Sequence, residues 1–349
     1  MRENLHAIQL ELTTRCNERC VHCYIPHEAK NHDMDSALLL ALIDQCGVMG
    51  VGQIIFSGGE PMLHPGFLEA VSKAGWEGLK LRIFSNLTLL NDDTLTAFKA
   101  FHIHEIQASL YSVDPDIHDG ITKMPGSCEA TKNAVVKLVE NGIPVFISCP
   151  VMKQNKRSYT GVLTWAKRIG IRAAPNDMIT ARSDRSTDNL ENRLTIDEAM
   201  DVIRDILEND TAYDAERFAP GYHNPGAELP CVRNVCAASL CVNAAGDVLP
   251  SPGWNYVLGN LHSQTLQDIW ENSPEIKNLQ NLSLSDFPKC RNCPDIYFCG
   301  MSLEGNANEN PAGDFLIIPG HVCELARRTR ELVRSWQKTK EGGIPDNDP

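Results

Sequence analysis

The chain is expected to be an α/β protein: a partial (βα)6 barrel over residues 1–180, a linker and bridging helix over 181–219, a cysteine-rich domain over 220–325, and a helix with a polar tail over 326–349. Three observations predict this. Strand-like runs alternate with helix-like runs six times through the first half, the pattern of parallel strands joined by crossovers. Residues with chemical potential fall just past the carboxyl ends of those strands, where the loops of such folds carry chemistry. After Pro220 the composition shifts toward Gly, Pro, Asn and Cys, and helical periodicity shortens.

The elements follow in order. Ala7–Thr13 alternates with period two and reads as the first strand, while Ser36–Cys46 places Leu38, Leu39, Leu42 and Ile43 at helical spacing. Gln53–Phe56 is a short apolar strand running into a glycine turn, and Phe67–Ala74 is a weak helix. Lys80–Ser85 alternates again, and Asn91 is placed to cap a helix over Asp92–Phe101. His104–Leu110 is a strand, and Cys128–Asn141 a helix ended by Asn141-Gly142 in a left-handed cap. Val145–Val151, Tyr159–Ile169 and Ile171–Met178 complete the series as strand, helix and strand. From Thr180 to Arg193 the chain is polar and charged and reads as a linker or lid loop. Thr195 to Glu198 forms a capping-box pattern that opens a helix to about Asn209, and Cys323–Lys338 reads as a terminal helix.

The chain has 349 residues, 45 acids against 32 bases, and a net charge of −13, which argues against a nucleic-acid grip built on clustered Lys and Arg. No apolar core of a signal peptide and no run of 18 apolar residues is present. The thirteen cysteines lack an export signal and cluster at short spacings, which favours metal ligation over disulfides and places the protein in the cytoplasm, in a low-oxygen setting.

Two short motifs carry the chemistry. Cys16, Cys20 and Cys23 form a C-x3-C-x2-C run with no fourth ligand nearby. A structural zinc wants four closed ligands, so three thiolates in one loop suit a cluster that leaves one iron open. Farther on, Ser57-Gly58-Gly59-Glu60-Pro61 is a glycine turn at the end of an apolar run, where missing side chains let backbone approach a ligand.

Together the two motifs resemble the radical S-adenosylmethionine (radical SAM) enzymes. The resemblance implies that Cys16, Cys20 and Cys23 hold a [4Fe–4S] cluster whose open iron takes the amino and carboxylate groups of SAM. It places His22 against the adenine and Gly58, Gly59, Glu60 and Pro61 beside the SAM amino group. Asn86 falls where the family often has Thr-Asn-Gly, written here Ser85-Asn86-Leu87, and Ser109 falls where a strand-four serine meets the ribose. Cys149, late in strand five, becomes a candidate hydrogen-atom donor or a buried packing residue. Cys46 and Cys128 read as core.

A second set, Cys290-x2-Cys293-x5-Cys299 with Cys323, resembles the SPASM extension of that family and matches a full ligand set for an outer auxiliary [4Fe–4S] cluster. The alternative is a zinc knuckle on the same sulfurs. Cys231 and Cys236 match the first two ligands of a second, inner auxiliary cluster, but Ser251 and Leu303 stand where its other two cysteines belong, and Cys241 is an extra thiol. The inner site is left as absent, smaller, or a three-cysteine cubane.

The implied activity is reductive cleavage of SAM and use of the 5′-deoxyadenosyl radical to modify a peptide or small protein by crosslinking, epimerisation or related C–H chemistry. Alternatives are cofactor biosynthesis on a small molecule such as a modified tetrapyrrole, and a non-catalytic metal scaffold or electron carrier. The expected partners are the peptide and a reductant such as ferredoxin or flavodoxin; since only fifteen residues precede Cys16, leader recognition is expected to fall to a separate leader-binding protein, to the SPASM region, or to be unnecessary. No nucleic-acid or membrane partner is expected.

Overall fold

The computed structural model describes residues 4–176, 179–209 and 235–340. They form two compact units, one of Met1–Arg193 with Asn234–Asn281, the other of Leu194–Arg233 with Leu282–Pro349.

The first unit is built on one nine-stranded sheet. Its strands are β1 (Ala7–Glu11), β2 (Gln53–Ser57), β3 (Lys80–Ser85), β4 (Glu105–Ser109), β5 (Val145–Pro150), β6 (Arg172–Asn176), β7 (Ser239–Val242), β8 (Asp247–Leu249) and β9 (Gly259–Asn260). The spatial order is β6-β5-β4-β3-β2-β1-β7-β8-β9. Strands β1 to β6 are parallel and lie in sequence order, as five consecutive crossovers of one hand require. The connecting helices are α1 (Ser36–Met49), α2 (Phe67–Trp76), α3 (Asp92–Ala100), α4 (Pro115–Thr122), α5 (Ser127–Glu140) and α6 (Tyr159–Arg168).

Each boundary has a local cause. Asp35 caps α1 by accepting from the Leu38 amide at 2.9 Å, and Gly50 closes it at φ +70°. Asn91 caps α3 through the Thr94 amide at 2.9 Å, as expected, and Gly142 follows α5 at φ +74°. The sequence reading missed α4. Pro115 at its first turn and Gly120 inside it hide an eight-residue helix, and Asp114 caps it. Asp119 on α4 accepts from the amides of Gly126 and Cys128 and the hydroxyl of Ser127, so it serves the start of α5.

Period-two alternation sorts the strand residues into two faces. Ile8, Leu10, Ile54, Phe56, Leu81, Ile83, Ile106, Val145 and Ile147 are buried on the face that carries the helices, each contributing about 1.5–3 kcal/mol. The opposite face carries Gln9, Arg82, Phe84, Gln107, Phe146 and Ser148, all half-buried, a mixed polar and aromatic interior of an open barrel.

The sheet does not stop at six strands. β7 pairs in parallel with the free edge of β1, setting Leu240 beside Ile8 and Cys241 beside Gln9, and β8 and β9 follow antiparallel. Two short helices, α8 (Leu266–Asn272) and α9 (Pro274–Gln280), close this part. The Leu266 amide donates to Gln45 on α1 at 2.7 Å.

The second unit holds α7 (Ile196–Glu208), α10 (Leu303–Glu309) and α11 (Gly320–Lys340). The capping box read at Thr195 and Glu198 is present in both directions. Met200, Ile203 and Leu207 of α7 pack on Val333 of α11, with Phe298, Leu325, Leu332 and Trp336 around them. Arg328 pairs with Asp197 between the same two helices. Among the described residues no helix is long and apolar enough to cross a membrane.

Candidate active site

The glycine turn and the stem of the cysteine loop are bonded together backbone to backbone. Leu12 N donates to Ser57 O (3.0 Å), Gly59 N to Thr13 O (2.7 Å) and Glu60 N to Arg15 O (2.8 Å). This close approach is why both glycines are needed. A Cβ on Gly58, which sits at φ +130°, would lie 2.3 Å from Thr13 O, and one on Gly59 would lie 2.1 Å from Arg15 O. The sequence had suggested that the missing side chains make room for a ligand; here they make room for the cysteine loop. Arg15 adds a clamp, pairing with Asp33 at 2.8 Å and donating to Leu63 O at 2.7 Å.

Past the turn, Glu60 is fully buried and gathers four bonds. Ser85 Oγ donates to both carboxylate oxygens (2.9 and 3.0 Å), Asn86 N to Oε2 (2.9 Å) and Met62 N to Oε1 (3.1 Å). Burial pushes its carboxyl up to about 7 although these donors hold it down. Pro61 opens a short 3-10 turn behind it. The ends of β2 and β3 are thereby locked to each other.

Asn86 does not project alone. Its Nδ2 donates to Asn17 Oδ1 (3.0 Å), Asn17 Nδ2 donates to Thr88 Oγ1 (2.7 Å), and Thr88 Oγ1 donates back to Asn86 Oδ1 (2.8 Å). This closed circuit joins the residue after Cys16 to the end of β3, and Asn86 Nδ2 lies 3.9 Å from Cys16 Sγ. The next residue, Leu87, occupies left-handed space at φ +64° while its side chain is buried. Left-handed backbone costs a non-glycine residue about 1–2 kcal/mol, and burying a leucine returns about 1.5–3 kcal/mol. Leu87→Gly is therefore expected to lower stability by only about 1 kcal/mol, against the 2–5 kcal/mol of an ordinary core leucine truncation; urea melts of the apo-protein measure it.

The cysteine loop itself is walled by residues the sequence reading passed over. Cys20 Sγ donates to Glu18 Oε2 at 3.2 Å, and Tyr111 Oη lies 3.8 Å from the same sulfur. The Tyr111 ring meets His22 edge-on at 4.9 Å and stacks on His118 at 5.2 Å. The Ser109 hydroxyl hydrogen-bonds the Tyr111 phenol. Burial, with Lys30 and Arg182 nearby, pushes the His22 imidazole down to about 4, so it is neutral. Arg19 N and Val21 N donate to Thr122 O and Ile121 O, which docks the loop on the end of α4.

The residues fit an iron–sulfur group. All three thiols are free. Burial pushes Cys16 up to about 12 and Cys20 well above its ordinary value, so protein surroundings alone keep them protonated. Bound cations reverse that preference, since a coordinating thiol is deprotonated outright. Glu18 Oε1 and His22 Nδ1 in the same loop are buried with no hydrogen-bond partner. Among the described residues no three His, Cys, Asp or Glu side chains converge on a single metal ion. A cubane makes no such demand, because each of its irons takes a separate thiolate.

Cys149 lies on the helix-facing side of β5 with Val145 and Ile147, fully buried, and its Sγ sits 3.7 Å from Tyr111 O. Its neighbour Ser148, not Cys149, shares the face of Ser109. Cys46 and Cys128 are buried, as read.

In the second unit, Cys290 N follows from a turn bond to Phe287 O, and Cys293 N donates to Cys290 O at 3.1 Å. Burial raises the Cys290 thiol, and Cys293 and Cys323 raise it further, so these three sulfurs act on one another. Cys323 is in the first turn of α11, and Cys299 ends a 3-10 turn. Arg330 of α11 lies 2.6 Å from Asp295 in the turn between Cys293 and Cys299, an ion pair without hydrogen-bond alignment. Of the other set, Cys231 lies outside the described residues. Cys236 is buried at φ +48°, with its carbonyl accepting from Gln280 Nε2 at 2.7 Å. Cys241 is buried on β7, and its charge acts on Tyr24, next to Cys23.

Comparison with known proteins agrees with this geometry. The profile described as "Radical SAM superfamily" matches residues 10–166, and one described as "Iron-sulfur cluster-binding domain" (SPASM) matches residues 231–294. The PqqA peptide cyclase of Gluconobacter oxydans is 30% identical over 330 residues, covering 86% of this chain and 88% of that protein. Among solved structures, Streptococcus suis SuiB bound to its precursor peptide SuiA aligns with a TM-score of 0.68 at 16% identity, over 90% of this chain and 75% of that one. Native anSMEcpe with bound AdoMet aligns with a TM-score of 0.74 at 13% identity, over 97% of this chain and 100% of that one. An open barrel with a three-thiol loop at the end of β1, a glycine turn at the end of β2 and a cysteine-bearing second unit thus makes this chain a member of the radical SAM superfamily, of the kind that carries a SPASM domain.

Proposed function

We propose that this chain reductively cleaves SAM and uses the resulting radical to form or rearrange a bond in a ribosomally made peptide. The observation that carries the reading is the assembly of Cys16, Cys20, Cys23, the Gly58–Pro61 turn and Asn86 at the carboxyl ends of β1, β2 and β3, in a chain 30% identical to a named peptide cyclase over most of its length. When bound, the cluster supplies the electron that splits SAM into methionine and a 5′-deoxyadenosyl radical.

The chain's own residues bind and orient. Cys16, Cys20 and Cys23 are the proposed iron ligands. Gly58 and Gly59 already spend their side of the turn on the loop stem, and Gly59 N is engaged by Thr13 O; the carbonyl edge of the turn is the part suited to a SAM ammonium donor. His22 and Tyr111 offer flat faces for the adenine, and Ser109 a hydroxyl for the ribose. The half-buried interior face, with Gln9, Arg82 and Gln107, suits a polar peptide segment. Glu60 holds the floor of the site and keeps water from the turn.

Cys290, Cys293, Cys299 and Cys323 are proposed to hold an auxiliary [4Fe–4S] cluster, which assigns residues 220–325 to that role and residues 1–180 to SAM chemistry. Cys231, Cys236 and Cys241 are the candidates for a second. A ferredoxin or flavodoxin is the proposed electron donor.

Anaerobically reconstituted protein given SAM and dithionite is expected to release 5′-deoxyadenosine, read by liquid chromatography. The Cys16/Cys20/Cys23→Ala variant is expected to release less than about one thousandth as much, the scale of loss when the reactive centre itself is removed. With a co-expressed short peptide, mass spectrometry is expected to show loss of two hydrogens for a crosslink or, in deuterated water, a gain of one mass unit at an epimerised α-carbon. Wild-type protein that carries its iron yet splits no SAM refutes the reading.

A further inference from the structure

We infer that residues Thr180–Asn192, within the Thr180–Arg193 stretch that reads as a linker or lid loop, form a strap over the cysteine loop, and that Arg182 within it is a positioning residue that sets how readily the cluster is reduced. The inference rests on the proposed cluster ligands Cys16, Cys20 and Cys23.

Five consecutive carbonyls of the loop each receive a donor from this one segment. Asn192 Nδ2 donates to Val21 O (3.2 Å) and Asn189 Nδ2 to His22 O (3.4 Å). Arg182 Nη1 donates to Cys23 O (2.6 Å) and, more distantly, to Ile25 O (3.4 Å). The amide of Ser183 donates to Tyr24 O at 2.9 Å. Arg182, Asn189 and Asn192 are 3%, 1% and 5% exposed, so these polar side chains have been taken out of water to serve the loop. Such desolvation is tolerated where the donors find partners, as these do, although Asn189 Oδ1 is buried without one. Asn189 and Asn192 also bond within the strap, to Thr180 O and Asn189 O.

Arg182 differs from the two asparagines in carrying charge. Its Nε and Nη2 form a two-point pair with Asp188 (2.9 and 2.8 Å), which fixes the guanidinium plane. Asp188 is largely exposed, with 67% of its side chain in water against 4% for Arg182. Solvent therefore screens the carboxylate more than the guanidinium. A net positive field remains at the carbonyl of Cys23. Cluster potentials follow net charge, hydrogen bonding and exposure, and added negative charge on reduction is favoured by a buried cation. The loop is held by neutral amides and biased by one cation.

The test is a redox titration of the reconstituted holoenzyme without SAM, followed by electron paramagnetic resonance on the signal that the Cys16/Cys20/Cys23→Ala variant lacks, so that a cluster on Cys290, Cys293, Cys299 and Cys323 is not counted. Arg182→Gln is expected to lower the ratio of reduced to oxidised cluster about tenfold at a fixed potential, about 59 mV for one electron. Arg182→Lys, which keeps the charge, is expected to restore most of that ratio. Asp188→Asn is expected to move it the other way, because it removes the counter-charge. A merely structural strap predicts shifts of one sign for both sites. An iron-loaded Arg182→Gln protein with the wild-type potential, or glutamine and asparagine variants that shift alike, overturns the inference. If Arg182→Gln fails to hold iron, Asp188→Asn decides: a higher reduced fraction supports the inference, and an unchanged or lower one overturns it. Wild-type protein with no cluster signal beyond that of the Cys16/Cys20/Cys23→Ala variant is a different result, which removes the ligand assignment and this inference with it.

Discussion

Gly59→Ala is expected to reduce 5′-deoxyadenosine formation by about 100-fold or more, the loss that follows an ångström-scale misplacement of reacting groups, and to lower stability by about 1–3 kcal/mol. One methyl group has this effect because of what it meets. The added Cβ would fall 2.1 Å from Arg15 O, 2.6 Å from Arg15 C and 2.8 Å from Thr14 O, all backbone atoms that cannot rotate away. Relief requires the cysteine loop to lift off the turn, which breaks the bonds from Gly59 N to Thr13 O and from Glu60 N to Arg15 O. Cys16, next in sequence, moves with Arg15. Gly120→Ala is the matched control: it lies inside α4, an added Cβ meets nothing within 4 Å, and its backbone is outside left-handed space. It is expected to leave activity unchanged and to raise stability by up to about 1 kcal/mol. Iron content, SAM cleavage and thermal midpoints of the two variants make the comparison.

The second large effect concerns pH. The Glu60 carboxyl is pushed by burial from about 4.5 up to about 7. A carboxyl whose pKa is raised on folding contributes stability that is complete below the unfolded pKa and is lost as pH rises through the folded one. The window is therefore about 4.5 to 7, and the swing is on the order of 3 kcal/mol at 1.36 kcal/mol per unit. Glu60→Gln removes the titration. The thermal midpoint of the apo wild type is expected to fall relative to the Gln variant across that window. Glutamine puts an NH2 group, which only donates, where the protonated acid keeps an oxygen that still accepts, so it sets one of the Asn86 and Met62 amides against another donor. At low pH, where both side chains are neutral, the variant is expected to be the less stable by about 1–3 kcal/mol. A midpoint difference that stays constant from pH 4.5 to 8 contradicts the assignment.

Much of the fold was legible because strands and caps are local. Period-two alternation in Lys80–Ser85, the Asn91 cap and the Thr195–Glu198 box each depend on a few neighbouring residues, and each is found where it was read. The cysteine triplet and glycine turn were legible because their spacing is itself a constraint. What was hidden depends on distant pairing. The segment Thr180–Arg193 looks solvent-facing by composition, yet Arg182, Asn189 and Asn192 are buried, since polarity is compatible with burial once five carbonyls lie opposite. Tyr111 gave one weak signal, an aromatic residue just past the end of β4, but its stacking on His118 and approach to Cys20 join residues 7 and 91 positions apart. The side on which Cys149 lies follows from its parity with Val145 and Ile147 on β5.

The pairing of β7 with β1 has a consequence for how the gene product can be divided. Without the returning strands, β1 would present Ile8 and Leu10 on an open margin with unclaimed amides and carbonyls, an invitation to association with other copies. The amino-terminal portion is thus not a cassette that can be transplanted at its last helix; a shortened or chimeric version has to carry residues 234–281 along with it.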